Sequence, residues 1–123
     1  MIIWLASYPK SGNTYVRAFL SAYYYSENGE FNFGLLSKIK LFPDKEFFNE
    51  KIESIEQASM EWKNVQNKIN KDKKINFFKT HSFLGSYKNR SFTTSKQTLG
   101  GIYIVRNPRN VFSSLKNQPL YLH

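Results

Sequence analysis

The 123-residue sequence contains no cysteine and two histidines, and it has no apolar run long enough to cross a membrane. Without cysteine, disulfide frameworks and thiolate chemistry are excluded. A membrane-spanning helix needs about 20 predominantly apolar residues. The first residues also lack the basic flank and long apolar segment of a signal peptide. We therefore expect a soluble, cytoplasmic chain with no membrane partner.

Acidic residues are missing from both ends of the chain. All the carboxylates lie between Glu27 and Asp72, while residues 73–123 contain nine lysines and arginines. The two flanks carry +11 and the middle −2, which gives a net charge of +9. This segregation favours an anionic ligand bound by the flanking segments. A solvated basic surface would explain any single lysine.

The composition is that of a globular chain, with 41% hydrophobic and 17% aromatic residues. Short apolar runs predict three buried strands, and apolar residues at steps of three and four predict helices. The predicted strands are residues 2–6, 75–79 and 101–105. The predicted helices are residues 14–28, one long or two short helices within 46–69, and 108–117. Residues 31–43 are expected to be irregular, and residues 83–98 to form a loop with little core.

Strands that alternate with helices predict an α/β fold with a P-loop-like parallel sheet of at least three strands and flanking helices. In such sheets ligands bind beyond the carboxyl ends of the strands. Those ends are residues 7–14, 80–82 and 106–109, and polar or basic residues occur at all three. The sequence therefore predicts a binding site at this edge of the sheet.

The first of these segments resembles a phosphate-binding loop. In the Walker frame of Gly, four residues, Gly, Lys and Ser/Thr, Ser7 replaces the first glycine and Asn13 replaces the lysine, while Gly12 and Thr14 match. A lysine is present inside the loop, at Lys10. The start of a helix attracts anions, so the segment predicts a phosphate cradle whose cation approaches from a different direction. Taken alone, an ordinary strand-to-helix turn would explain the segment equally well.

The other two segments argue against metal-dependent phosphoryl transfer. Walker enzymes hold Mg²⁺ with an aspartate after an apolar strand, but "GIYIV" is followed by Arg106, and residues 73–123 contain no carboxylate. The stretch "FFKTHS" instead places Lys79 and His81 at the tip of the second strand. We interpret His81 as a candidate general base, and we expect no metal.

Together, "YPKSGNTY", "KTHS" and "YIVRNPRNVFSS" resemble the sulfotransferase domain family, whose members use 3′-phosphoadenosine 5′-phosphosulfate (PAPS). The resemblance covers both ends of the chain, whereas residues 27–72 match only in helical character. It implies that PAPS is the co-substrate and that a hydroxyl or amine of a small molecule or glycan is the acceptor. It implies no nucleic-acid partner.

The resemblance also implies roles for individual residues. The 5′-phosphosulfate would be held by Ser11, Gly12, Asn13 and Thr14, with Lys10 stabilising the leaving phosphate. Tyr15 stands where the family often has a tryptophan that stacks on adenine. Arg106 and Ser114 would bind the 3′-phosphate. His81 would accept the proton of the acceptor, and Lys79 would hold the sulfuryl group.

Members of the family usually continue beyond the 3′-phosphate helix with a further Gly- and Lys-containing loop. We therefore expect residues 1–123 to form one partial sulfotransferase-type domain, apparently truncated after that helix. Three explanations remain open: a fragment, a chain that a partner completes, or a degenerate copy. Two other functions are also open, namely a divergent P-loop phosphotransferase and a non-catalytic basic module that binds polyanions.

Overall fold

Four parallel strands form the main sheet of the computed structural model, which describes residues 1–48 and 52–117. In chain order the strands are β1 (Ile2–Ser7), β2 (Lys40–Leu41), β3 (Asn76–Thr80), β4 (Ser86–Tyr87), β5 (Arg90–Ser91) and β6 (Thr98–Ile104). The main sheet has the order β2-β3-β1-β6, and β4 and β5 form a separate antiparallel hairpin. The helices are α1 (Asn13–Tyr25), α2 (Ile55–Ile69) and α3 (Pro108–Lys116).

The predicted α/β fold with a parallel sheet and flanking helices is confirmed. The sheet gains one strand, β2, from the segment expected to be irregular, and that segment also contains a 3₁₀ turn at Phe33–Lys38. Two residues are too few to show a strand pattern in the sequence. Between residues 46 and 69 the structure has a 3₁₀ turn at Lys45–Phe47 and then α2. Residues 49–51 of the predicted helical stretch lie outside the described residues.

Strand β1 lies in the centre and pairs with β3 on one side and β6 on the other. Its register sets Ala6 beside Thr80 of β3 and Ser7 beside Ile104 of β6. The apolar sequence of β1 suits this position, because a central parallel strand is covered on both faces. The loops that follow β1, β3 and β6 therefore leave the sheet at the same edge.

Each face of the sheet has its own hydrophobic core. Helix α2 begins at the N-cap Ser54, whose side chain accepts a hydrogen bond from the Gln57 N–H. Its apolar stripe then packs on one face in a cluster formed by Ile2, Trp4, Phe42, Trp62, Val65, Phe78 and Phe92. On the face of α1, a smaller cluster contains Leu5, Ile39 and Phe77, with Leu20 and Ile104 packed against it. Among the described residues, no helix is both long and apolar enough to span a bilayer.

The prediction that residues 83–98 contribute little to the core is wrong. Phe92 is 3% exposed, and its ring centroid lies 5.1 Å from that of Trp4 and 5.3 Å from that of Trp62. Gln66, which is buried on α2, donates a hydrogen bond of 2.7 Å to the carbonyl of Phe92. The segment is mostly polar in sequence, so one aromatic residue without a periodic pattern gave no sign of its burial.

We expect Phe92→Ala to lower the free energy of unfolding by about 3–5 kcal/mol, because it leaves a cavity between two tryptophans. Phe83→Ala is the matched control in the same segment, since Phe83 is 61% exposed. Urea denaturation measures both. Equal small effects for the two variants would show that the segment does not belong to the core.

Candidate functional site

The loop between β1 and α1 is a tight turn that presents its backbone at the start of the helix. The N–H of Ser11 donates to the carbonyl of Tyr8 over 3.3 Å, and Lys10 adopts a φ of 65°. Gly12 is the N-cap of α1 with a φ of 96°, no side chain caps the helix, and its first turn has no acidic residue. Unpaired N–H groups and the helix dipole make such an end a site for anions. A phosphate group fits this arrangement.

Asn13 fixes the shape of this loop from within. Its side chain is 4% exposed, and its Nδ2 donates to the carbonyl of Leu5 over 2.9 Å and to Oγ of Ser7 over 3.0 Å. These bonds join the end of β1 to the first turn of α1. The residue in the position of the Walker lysine is thus turned inward, so its side-chain donors are used within the loop and only its backbone N–H can donate to a ligand.

His81 reaches the loop from the end of β3. Its Nδ1 lies 2.7 Å from the carbonyl oxygen of Ser7 and 3.5 Å from Oγ of the same residue. Because a carbonyl oxygen can only accept, Nδ1 carries the hydrogen in this contact. In the neutral ring the lone pair is then on Nε2. The geometry therefore orients an imidazole with one nitrogen available as a base.

Arg106 reaches the same loop from the end of β6. Its Nη1 donates to the carbonyl of Lys10 over 3.1 Å, and the side chain is otherwise exposed. A guanidinium has five N–H donors, so most of those of Arg106 have no partner among the described residues. Two residues later Pro108 begins α3, and Asn107 caps that helix by accepting from the Arg109 N–H over 3.0 Å.

A pair of half-buried cations lies beneath this edge, on the α1 face of the sheet. Burial lowers the pKa of Lys79, and the nearby charge of Arg17 lowers it further. Arg17 donates from Nη2 to the carbonyl of Leu36 over 2.8 Å, while its buried Nε has no partner in the described chain. Within residues 1–48 and 52–117, neither side chain forms an ion pair with a carboxylate. Sequence reasoning missed Arg17, although it follows the inward-facing Asn13 by one helical turn.

The remaining predicted site residues are less closely connected to the loop between β1 and α1. Tyr15 is 79% exposed at the start of α1, and Thr14 is exposed beside it. Ser114 is half-buried on α3. No hydrogen bond between described residues links the side chains of Tyr15, Lys79 or Ser114 to the loop. The individual roles of the site residues therefore stay predictions.

A cavity of about 400 Å³ lies between the loop and α3. Ser11 and Arg106 line it together with apolar side chains of β6 and α3, among them Tyr103, Val111 and Phe112. A volume of this size is within the range of small-ligand pockets, which combine an apolar lining with a few polar groups. The cavity thus adjoins Ser11 and Arg106, two of the residues predicted to bind the nucleotide phosphates.

The described residues include no group of three or more His, Cys, Asp or Glu side chains that could hold a metal ion. The family model described as the sulfotransferase domain matches residues 2–123. Searches of the curated proteins and of the solved structures found no match. The described residues form an α/β fold with a parallel sheet, and the family match indicates a transferase. The chain belongs to the sulfotransferase domain family.

The left-handed conformation of Lys10 leads to a first prediction for this site. A side chain at positive φ costs roughly 1–2 kcal/mol, a cost that glycine avoids. We expect Lys10→Gly to be about 1 kcal/mol more stable to urea than Lys10→Ala, although both variants lack the ammonium group. Equal stability of the two variants would show that the loop does not hold residue 10 at positive φ.

The lowered pKa of Lys79 leads to a second prediction for this site. The unfolded chain binds this proton more tightly than the folded chain does, so protonated Lys79 costs stability. That cost is complete below the folded pKa and disappears as the pH rises towards 10.5, the ordinary value. Lys79→Met should therefore raise the melting temperature at pH 7, and the gain should shrink towards pH 10. Lys63→Met, an exposed change on α2, serves as the control, and an equal, pH-independent gain there would contradict the prediction.

Proposed function

We propose that this chain is a PAPS-dependent sulfotransferase that moves a sulfuryl group to a hydroxyl or amine acceptor. The observation that carries the proposal is that two different segments bind the backbone of one loop. His81 contacts the carbonyl of Ser7, and Arg106 contacts the carbonyl of Lys10. A candidate base, a candidate phosphate ligand and the start of α1 thus converge at one edge of the sheet.

The chemistry of sulfuryl transfer suits this set of groups. When bound, PAPS supplies a sulfuryl group on a phosphate that leaves as adenosine 3′,5′-bisphosphate. His81 Nε2 takes the acceptor proton as the acceptor oxygen or nitrogen bonds to sulfur and the S–O bond to phosphate breaks. General-base catalysis of this kind contributes typically 10²–10⁴-fold. Lys10 and the N–H groups at the start of α1 stabilise the negative charge that the leaving phosphate gains.

Four features support a nucleotide with a 3′-phosphate as the donor. Arg106 lines the 400 Å³ cavity, and a second phosphate there would form charge-assisted hydrogen bonds with its guanidinium group. Ser114 follows on α3, and the exposed ring of Tyr15 is available to stack on a base. The described part of the N-terminal loop and of residues 73–117 contains no carboxylate that would repel such an anion.

We expect adenosine 3′,5′-bisphosphate to bind much more tightly than AMP without added metal, because AMP lacks the group that Arg106 would hold. Titration calorimetry on the 123-residue chain measures both. Arg106→Ala should weaken the binding of the bisphosphate by about 1.5–3 kcal/mol, the cost of a lost charged hydrogen bond. The affinity for AMP should stay nearly unchanged.

Two further variants test whether the effect of Arg106→Ala is specific to the 3′-phosphate. Arg109→Ala removes an exposed charge close to Arg106 and should change the affinity little. His81→Ala should leave bisphosphate binding intact, because the base acts on the acceptor. Equal binding of the two nucleotides, or a strict Mg²⁺ requirement, would favour a phosphotransferase. Equal losses for Arg106→Ala and Arg109→Ala would indicate a general polyanion-binding surface.

A further inference from the structure

Arg17 is a half-buried cation that the backbone holds in place. Its Nη2 donates to the carbonyl of Leu36 over 2.8 Å, which ties α1 to the 3₁₀ turn at Phe33–Lys38. Its Nε is buried and has no hydrogen-bond partner among the described residues. Because a guanidinium is not deprotonated in proteins, α1 places a permanent positive charge inside the fold with part of its hydrogen-bonding capacity unused.

Lys79 lies on the sheet face that α1 covers. Alternate residues of a strand share a face, so Lys79 is on the same face as Phe77, which packs in the cluster on the α1 side. The register partner of Lys79 on β1 is Leu5, whose carbonyl accepts a hydrogen bond from the Asn13 side chain at the start of α1. Lys79 is therefore close to the point where the phosphate-binding loop meets the helix.

The two cations act on each other. Burial lowers the pKa of Lys79, and the charge of Arg17 lowers it further. Their repulsion acts across a partly buried space, where the effective dielectric constant is far below that of water. An anionic group in contact with Lys79 would offset this repulsion and would be attracted by Arg17 as well. The affinity of Lys79 for an anion thus depends on the residue behind it.

We propose that Arg17 is a positioning residue that acts through Lys79 and makes the site prefer the loaded donor, PAPS, over the spent adenosine 3′,5′-bisphosphate. The inference rests on the proposed function. In PAPS one negative charge is on the sulfuryl oxygens, beyond the 5′-phosphate, whereas in the bisphosphate that charge is on the phosphate itself. The Arg17–Lys79 pair distinguishes the two nucleotides by this difference, while the loop binds the phosphate that both contain.

Titration calorimetry on the 123-residue chain with PAPS and with the bisphosphate tests the inference. Arg17→Met should weaken PAPS by about tenfold, the scale of one charge interaction in a partly buried setting, and should leave the bisphosphate nearly unchanged. Arg17→Lys keeps the charge and should restore most of the preference for PAPS. Lys38→Met removes an exposed cation from the adjacent 3₁₀ turn and should affect neither nucleotide.

A double-mutant cycle tests whether Arg17 acts through Lys79. Lys79→Met should weaken PAPS selectively, and adding Arg17→Met to that variant should cause little further loss, because residues that act together are not additive. Independent, additive losses would show that Arg17 does not act through Lys79 and would overturn the inference.

A measurement on the unsubstituted chain keeps the test valid if Arg17→Met folds poorly. In NMR spectra, PAPS should shift the Nε–H resonance of Arg17, and the bisphosphate should shift it much less. Arg90 is the reference, because it lies on β5 and its Nη1 donates to Ser59 of α2. Its Nε–H resonance should respond to neither nucleotide.

The failure of this inference can be distinguished from the failure of the proposed function. Binding of both nucleotides with equal losses in Arg17→Met, or with an Arg17 resonance that responds equally to the two, would overturn the role of Arg17 alone. An Arg17→Lys variant that loses as much as Arg17→Met would also overturn it, since the charge would then not matter. If neither nucleotide binds the unsubstituted chain, both the proposed function and the role of Arg17 are wrong.

Discussion

The side chain of Asn13 makes the two hydrogen bonds on which the rest of the site depends. A single buried amide joins the end of β1 to the start of α1 by donating to Leu5 and to Ser7. With the loop held in this way, the carbonyls of Ser7 and Lys10 point to where His81 and Arg106 can reach them. Loss of this buried amide would remove both hydrogen bonds, which costs stability and loop geometry together.

Two neighbouring positive charges lower the stability of the folded chain at this edge of the sheet. Lys79 and Arg17 are half-buried neighbours of the same sign, and burial lowers the pKa of both. Such an arrangement destabilises the folded chain unless an anion is bound, and a ligand of the native state restores the balance by mass action. Positive charge that no described carboxylate neutralises is a feature expected of a functional site.

The two faces of the sheet differ in charge. The α1 side holds the cations and the uncapped helix start, which suit phosphate and sulfuryl oxygens. The α2 side has an open groove of about 570 Å³, whose described lining residues are uncharged and include Ala6 and Gly101. His81 leaves β3 between them, because residues 80 and 82 line the groove while its ring contacts the loop.

The sequence alone determined the three apolar strands, the parallel sheet, the loop with Lys10 and Gly12, and the placement of His81 and Arg106 at strand ends. Local spacing and composition determine these features, because strand runs and helix starts depend on nearby residues. Only the tertiary structure decided that Phe92 belongs to the core, that Arg17 lies near Lys79, and which nitrogen of His81 is free. Each of these depends on a contact between residues far apart in the chain, such as the 74 positions between Ser7 and His81, and no local pattern records such a contact.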